Sequence, residues 1–265
     1  MNNVIILIPH FNNFKGLCDS VFSIKKEEKV DVLIVDDGSF ENTINETELL
    51  KNKNFKGSIF FIYNETNKGI EHVLNQGLKF ILEKKVYKYI ARLDCGDLCL
   101  ENRFYLQEKY LKNHLQCKLV GSNAIAIDTN GKELYKTILP ENSNTIKNKM
   151  YLNAMFLHPT VMFCSSIINE IGYYPTEYKA AEDYAFFFKI VQKYETHNIQ
   201  KFLLKYEINT KGISLLKRNQ QVSSRIQIIK DNFYFGFWPF YGLLRNYALR
   251  YLIPQKIINW IKTNR

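Results

Sequence analysis

The sequence predicts an α/β domain, a mostly parallel central sheet flanked by helices, followed by a helical, aromatic-rich C-terminal extension. Three observations predict it. Short uninterrupted apolar runs punctuate the first half, as strands buried on both faces require. Between them apolar residues recur at helical spacing, so strand and helix alternate. After about Asn219 the strand signals stop, and phenylalanine, tyrosine and tryptophan crowd the chain.

The elements follow in order. Val4-Ile5-Ile6-Leu7-Ile8 reads as the first buried strand, and Leu17, Val21 and Ile24 mark the helix after it. Val32-Leu33-Ile34-Val35 and Ile59-Phe60-Phe61-Ile62 read as the second and third strands. Ile70, Val73, Leu74, Leu78, Ile81 and Leu82 lie on one face of a helix, and Tyr89-Ile90-Ala91 leads a fourth strand. This order implies parallel strands joined by right-handed crossovers. Two apolar runs, Leu119 to Ile127 and Leu134 to Ile138, then flank Asp128-Thr129-Asn130-Gly131, a hairpin signal. His158 to Phe163 reads as a further strand, and a helix begins near Glu182. The domain is assigned to residues 1–215 and the extension to 216–265.

Composition narrows the function. A chain of 265 residues with 46% hydrophobic content builds a real core and is not mainly disordered. The net charge of +10 favours anionic partners. No zinc-finger spacing, helix-turn-helix signature or RNA-binding aromatic motif accompanies it, so nucleic acid is not an expected partner. Five cysteines, an odd number without framework spacing, read as the reduced thiols of a cytoplasmic protein. Cys95 and Cys99 lack the second pair that a zinc site needs. Met1 to Pro9 is a short strand rather than a leader peptide, and no window of about 18 apolar residues predicts a spanning helix.

Ligands of open α/β sheets bind beyond the C-terminal strand ends. Four polar clusters fall there: Pro9-His10-Phe11-Asn12-Asn13, Asp36-Asp37-Gly38-Ser39, Asn67-Lys68-Gly69 and Arg92-Leu93-Asp94-Cys95-Gly96-Asp97. Asp37 suits a nucleobase N–H, with Phe11 stacking on the base. Asp94 and Asp97 suit a hard divalent cation shared with a diphosphate. Taken alone, Asp-Asp-Gly-Ser reads first as a capped turn; its register with the other three loops reverses this and favours the site.

In ordered combination these pieces resemble the family 2 glycosyltransferases of the GT-A fold. The resemblance rests on Ile8-Pro9-His10-Phe11-Asn12, Val35-Asp36-Asp37-Gly38-Ser39, Asn67-Lys68-Gly69 with Asn75-Gln76-Gly77, and Ala91 to Asp97 followed by Glu101-Asn102-Arg103. His158-Pro159-Thr160-Val161-Met162, Ile171-Gly172-Tyr173-Tyr174 and Glu182-Asp183-Tyr184 complete it, covering about residues 3 to 215. It implies a Rossmann-like α/β fold and an inverting, nucleotide-sugar-dependent transferase. It implies donor contacts at Pro9, Phe11, Asn12, Asp37, Asn67, Lys68, Gly69, Arg92 and Asp94. It implies a divalent cation, manganese or magnesium, at Asp94 and Asp97, a catalytic base at Asp183 assisted by Glu182, and His158 on the acceptor side. One residue departs from the pattern: Gly96 stands where the family commonly carries a metal-binding acid.

The implied reaction moves a sugar, with UDP-sugars the first candidates and dTDP-rhamnose or GDP-sugars open, onto a hydroxyl of a glycan or lipid-linked acceptor. The Lys/Asn/Ile-rich composition suits a low-GC bacterium and surface polysaccharide as product. Two rivals stand beside this. A nucleotidyltransferase needs a glycine-rich basic loop after the first strand, which Pro9-His10-Phe11-Asn12-Asn13 lacks. A non-catalytic nucleotide-sugar-binding protein, its activity lost at Gly96, is the alternative from a different class. In the extension, residues 233–261 combine aromatics with Arg245, Arg250 and Lys256. They fit a peripheral seat on the cytoplasmic face of the inner membrane, or plain packing against the domain.

Overall fold

The computed structural model describes residues 2–208 and 217–252. The boundary expected at 215/216 and the segment 253–261, with Lys256, lie outside the described residues.

Four parallel strands form one half of the sheet: β1 (Val4–His10), β2 (Val30–Asp36), β3 (Ile59–Tyr63) and β4 (Tyr89–Arg92). Their order is β3-β2-β1-β4, with His10 level with Asp36 and Asp36 with Tyr63. The chain winds outward from β1 to β3 and returns to β1's other side at β4, so order reverses there. Such a switch point opens a crevice at the strand ends. The uninterrupted apolar runs are explained by strict alternation. Ile5, Leu7, Leu33 and Val35 enter one core, while Val4, Ile6, Ile8, Val32 and Ile34 enter the other.

Helices cover both faces. The first core packs α3 (Ile70–Lys84) and α7 (Glu182–Lys193), together with residues of α5 (Ser143–Lys149) and α6 (Ile168–Ile171). The second packs α1 (Phe14–Ser23), α2 (Glu46–Asn52) and α4 (Arg103–Asn113).

Beyond β4 the sheet continues through β8 (Met162–Cys164), antiparallel to both neighbours, then β6 (Cys117–Ile127), β9 (Glu195–Glu207) and β5 (Leu98–Cys99). β7 (Glu133–Thr137) pairs with β6 across the hairpin, where Asp128 Oδ1 accepts the amides of Asn130 and Lys132 and Gly131 turns at φ +81°.

The strand expected over His158 to Phe163 is corrected. His158–Thr160 is a 3₁₀ turn and only Met162–Cys164 is strand. Pro159 has no amide to give a ladder, and Thr160 instead donates its N–H to Leu157 O at 2.9 Å.

After the undescribed segment come α8 (Arg218–Asp231) and α9 (Phe237–Tyr251). Ile228 and Ile229 enter the first core. Tyr151 donates its hydroxyl to Asn232 O, and Arg245 donates Nη1–H to Leu152 O at 2.8 Å. A Cβ at Gly242 would stand 2.3 Å from Tyr151 O, so only glycine lets α9 approach this closely.

Candidate functional site

The loops after β1 and β2 are laced together at their roots. Asn13 N–H donates to His10 Nε2, which leaves the proton on Nδ1, and Nδ1–H donates to Asp36 Oδ1 at 2.6 Å. Ser39 donates its hydroxyl to the same Asp36 oxygen and accepts Asn12 N–H. Asn12, at φ +48°, accepts the amides of Phe40 and Glu41 through Oδ1. Asp37 is buried and accepts the amides of Lys68 (2.8 Å) and Gly69 (3.0 Å), fixing the entry of α3. Asp37 and Asn12 thus hold these loops in place. Phe11 is exposed, with its ring edge-on to Phe40 at 6.2 Å. Asn67 and Lys68 are exposed beside them. Cys95 Sγ–H donates to Pro9 O at 3.2 Å, tying these loops to the one after β4.

Arg92 is fully buried at the end of β4, not a surface cation. Its Nε–H donates to His158 Nε2, Nη1–H to Leu7 O, and Nη2–H to Asp94 Oδ1 at 2.5 Å. Burial first, and the Arg92 charge second, hold the His158 pKa well below its ordinary value. A neutral imidazole receiving Arg92 at Nε2 carries its proton on Nδ1. Tyr174 OH also lies 3.0 Å from Nε2, and Asn75 clamps the Tyr174 backbone through both its amide nitrogen and oxygen.

Asp94 is partly exposed, and its Oδ2 has no hydrogen-bond partner among the described residues. Asp97 differs. It is buried, its Oδ1 accepts Glu207 N–H at 2.9 Å, and burial together with the Asp94 charge pushes its pKa well above the carboxylate range. Asp94 and Asp97 therefore stand in unlike environments. Between them Gly96 sits at φ +99°, and a Cβ there would meet Glu207 Oε2 at 3.3 Å. Gly96→Asp is expected to destabilise the fold by about 1–3 kcal/mol through backbone strain, before the repulsion from Glu207 and Asp97 is counted. Urea unfolding measures it; a variant as stable as the parent would show that the loop relaxes without strain.

Glu182 and Asp183 open α7, where acids favour the helix dipole. Asp183 Oδ1 accepts Tyr184 N–H at 2.7 Å. Burial raises the Asp183 pKa, and the Asp94 charge raises it further. Glu182 is pushed up to about 8 by burial, then by Asp183, with Glu71 and Asp94 adding to it. Its Oε2 is buried without a hydrogen-bond partner among the described residues. The Asp94 charge thus reaches both Glu182 and Asp183, although 88 residues separate Asp94 from Glu182 in sequence. Both raised values have the same sign for stability. The folded state holds both protons more tightly than the unfolded chain; for Glu182 the contribution is present below about pH 4.5 and is lost as pH rises through about 8.

One neighbour of Asp183 escaped the sequence reading. Arg225 of α8 lowers the Asp183 pKa, lies 5.8 Å over the Tyr184 ring, and donates to the buried Asn246 of α9. It sits in the polar run Asn219 to Arg225, beyond the segment that carries the motifs, and no spacing marks it.

The family model described as "Glycosyl transferase family 2" matches residues 5–172. An uncharacterized glycosyltransferase of Methanocaldococcus jannaschii is 29% identical over 82% of this chain and 74% of its own. The amylovoran biosynthesis glycosyltransferase AmsE of Erwinia amylovora is 28% identical over 63% of this chain and 60% of its own. Among solved structures, S. aureus TarS 1-349 in complex with UDP-GlcNAc has a TM-score of 0.64 at 16% identity, covering 99% of this chain and 79% of that one. The mannosyltransferase PcManGT of Pyrobaculum calidifontis, in complex with GDP-Man and Mn2+, has a TM-score of 0.61 at 13% identity, covering 99% and 73%. These structural likenesses establish the fold, which is GT-A.

Proposed function

From its membership of glycosyl transferase family 2, we propose that this chain transfers a sugar, with inversion, from a nucleoside-diphosphate sugar to a hydroxyl of a glycan or lipid-linked acceptor. The observation that carries the proposal is the reach of the Asp94 charge to the Glu182–Asp183 pair, where it helps to raise both pKa values. One acid beside the diphosphate and one beside the acceptor are what a direct displacement needs.

In this reading the Asp183 carboxylate takes the proton from the acceptor hydroxyl. The hydroxyl oxygen bonds to the anomeric carbon from the face opposite the leaving group. The bond from that carbon to the diphosphate oxygen breaks, and its electron pair leaves with the nucleoside diphosphate. A single displacement inverts the centre. Phe11 offers its exposed ring to the base, Asp37 and Asn12 keep the surrounding loops in place, and Asn67 and Lys68 face the diphosphate. His158, neutral, belongs to the floor on the acceptor side.

A divalent cation fits Asp94, whose partly exposed carboxylate keeps an unengaged oxygen. Manganese and magnesium commonly take one or two carboxylates together with substrate phosphate. Among the described residues no three His, Cys, Asp or Glu side chains form a ready cage. Asp97 would have to leave Glu207 to join. When bound, the cation would neutralise charge growing on the diphosphate.

UDP-sugars are the first donors to try, and bacterial surface polysaccharide is the proposed product. The proposed site of action is the cytoplasmic side of the inner membrane. A thermal-shift panel of UDP-, GDP- and dTDP-sugars, with and without manganese, tests the reading. A donor at ~100 times its Kd adds about 2.7 kcal/mol, and manganese is expected to enlarge the shift. If no nucleotide sugar raises the melting temperature, the reading fails.

A further inference from the structure

Helix α9 has two unlike faces. Pro239, Gly242 and Asn246 are buried, and Trp238 and Leu243 pack on the core. Opposite them Phe237 (70% exposed), Phe240 (68%), Tyr241 and Leu244 (62%) recur at helical spacing, and Phe235 in the preceding turn is 100% exposed. The rings of Phe237 and Tyr241 stack at 5.6 Å, so the stripe is continuous. Water is a poor solvent for it, and a stripe of this kind on a folded surface marks an interface.

The sequence through it is basic, and the one flanking acid, Asp231, is engaged by Tyr178 and Gln227. No residue from Asn232 to Leu244 is charged, and no acid follows Asp231, whereas Arg245, Arg250, Lys256, Lys262 and Arg265 do. Lys230 Nζ lies 5.7 Å over the Tyr247 ring and Arg250 lies over Tyr251, so cations border the aromatic face. A second copy of the same face would bring like charges together with no acid on α9 to pair them. An acidic lipid surface supplies the opposite charge at headgroup depth, where aromatic rings settle well. Among the described residues no helix is long and apolar enough to cross a membrane.

We propose that the outer face of α9, with Phe235, seats the protein on an anionic phospholipid surface, lying in the interface rather than spanning it. This names the partner surface for the lipid-linked acceptor of the proposed reaction. Its test reads lipid binding alone, so its failure leaves the transfer reading standing, and the reverse holds too.

The full chain should sediment with phosphatidylcholine vesicles containing phosphatidylglycerol, far less with phosphatidylcholine alone, and less as salt rises. The triple variant Phe237→Ser, Phe240→Ser, Leu244→Ser, which alters exposed side chains only, should lose about tenfold or more in vesicle affinity. Its melting curve checks the fold. Phe235→Ser, in the turn, should give a smaller loss and guards against a misfolded triple variant. Undiminished vesicle binding by both variants would overturn the proposal. So would a wild-type chain that ignores anionic vesicles but forms a concentration-dependent dimer which the triple variant abolishes.

Discussion

Asp183→Asn is expected to lower the transfer rate by at least about 10²–10⁴-fold, the usual worth of a positioned base, while nucleotide-sugar binding stays unchanged. Asparagine keeps the shape and still offers an oxygen to Tyr184 N–H, so α7 keeps its first turn and the melting temperature should barely move. What is lost is the ability to accept the acceptor's proton. The wild-type pH profile follows from the same residue. Burial raises Asp183, and it sits against Glu182, itself pushed up to about 8. A base must be ionised to act, so kcat/KM should climb with pH on a limb displaced above the ordinary carboxylate range, and the variant should lack that limb. Single-turnover transfer with a matched donor checks both. Turnover near the wild-type rate would remove Asp183 from the mechanism, and with it the inverting scheme.

Arg92→Met is expected to be the most destabilising single change in the site, by about 2–4 kcal/mol. The Leu7 carbonyl would lose one of two donors inside the sheet, keeping the longer bond from Leu93 N–H at 3.4 Å, and a void would replace part of a fully buried side chain. The ion pair to Asp94 adds little of its own, because solvent reaches that carboxylate. Arg92→Lys should recover only a minor part, since an ammonium on a flexible stem does not replace a planar fork serving Leu7, Asp94 and His158 at once. Urea unfolding gives the stability. The functional mark is separate: Asp94 without Arg92 loses its fixed geometry, so the donor Kd should rise in Arg92→Lys even where the fold survives. A lysine variant equal to wild type in both respects would reduce Arg92 to a space-filling role.

How much of this was legible depends on what each segment buries. β1 to β4 read plainly because both faces of each strand meet a core, which leaves unbroken apolar runs. β9 did not. Its thirteen residues include Thr196 and Asn198, buried polar groups, with Asn198 bonded to Pro140 O and Met155 O. α4 was hidden for a similar reason. Its buried face is Arg103, Phe104, Gln107 and Leu111, half of it polar, with Arg103 donating to Arg92 O and Gln107 to Thr160 O. A pattern built on hydrophobicity passes over a helix whose inward face holds the backbone of its neighbours.

The site divides in the same way. Acids at strand ends announce themselves, because few structural needs place Asp-x-x-Asp after an apolar run, whereas Glu182-Asp183 at the start of α7 reads equally as a helix N-terminus. Their environments do not: nothing in the letters separates Asp94, half in solvent, from Asp97, enclosed against Arg103 and Glu207. Arg225 had no local mark at all, since its meaning comes only from lying over the Tyr184 ring and from its charge acting on Asp183 through the fold.

Arg225 therefore changes what the C-terminal helices are. If the counter-charge to the proposed base is delivered by α8, and Asn246 of α9 steadies it, the two helices are a working part of the reaction centre and not a detachable handle. Swapping them for those of a relative would retune the proton acceptor along with whatever surface they touch. Inheritance of this enzyme's chemistry and of its place of work should then travel together.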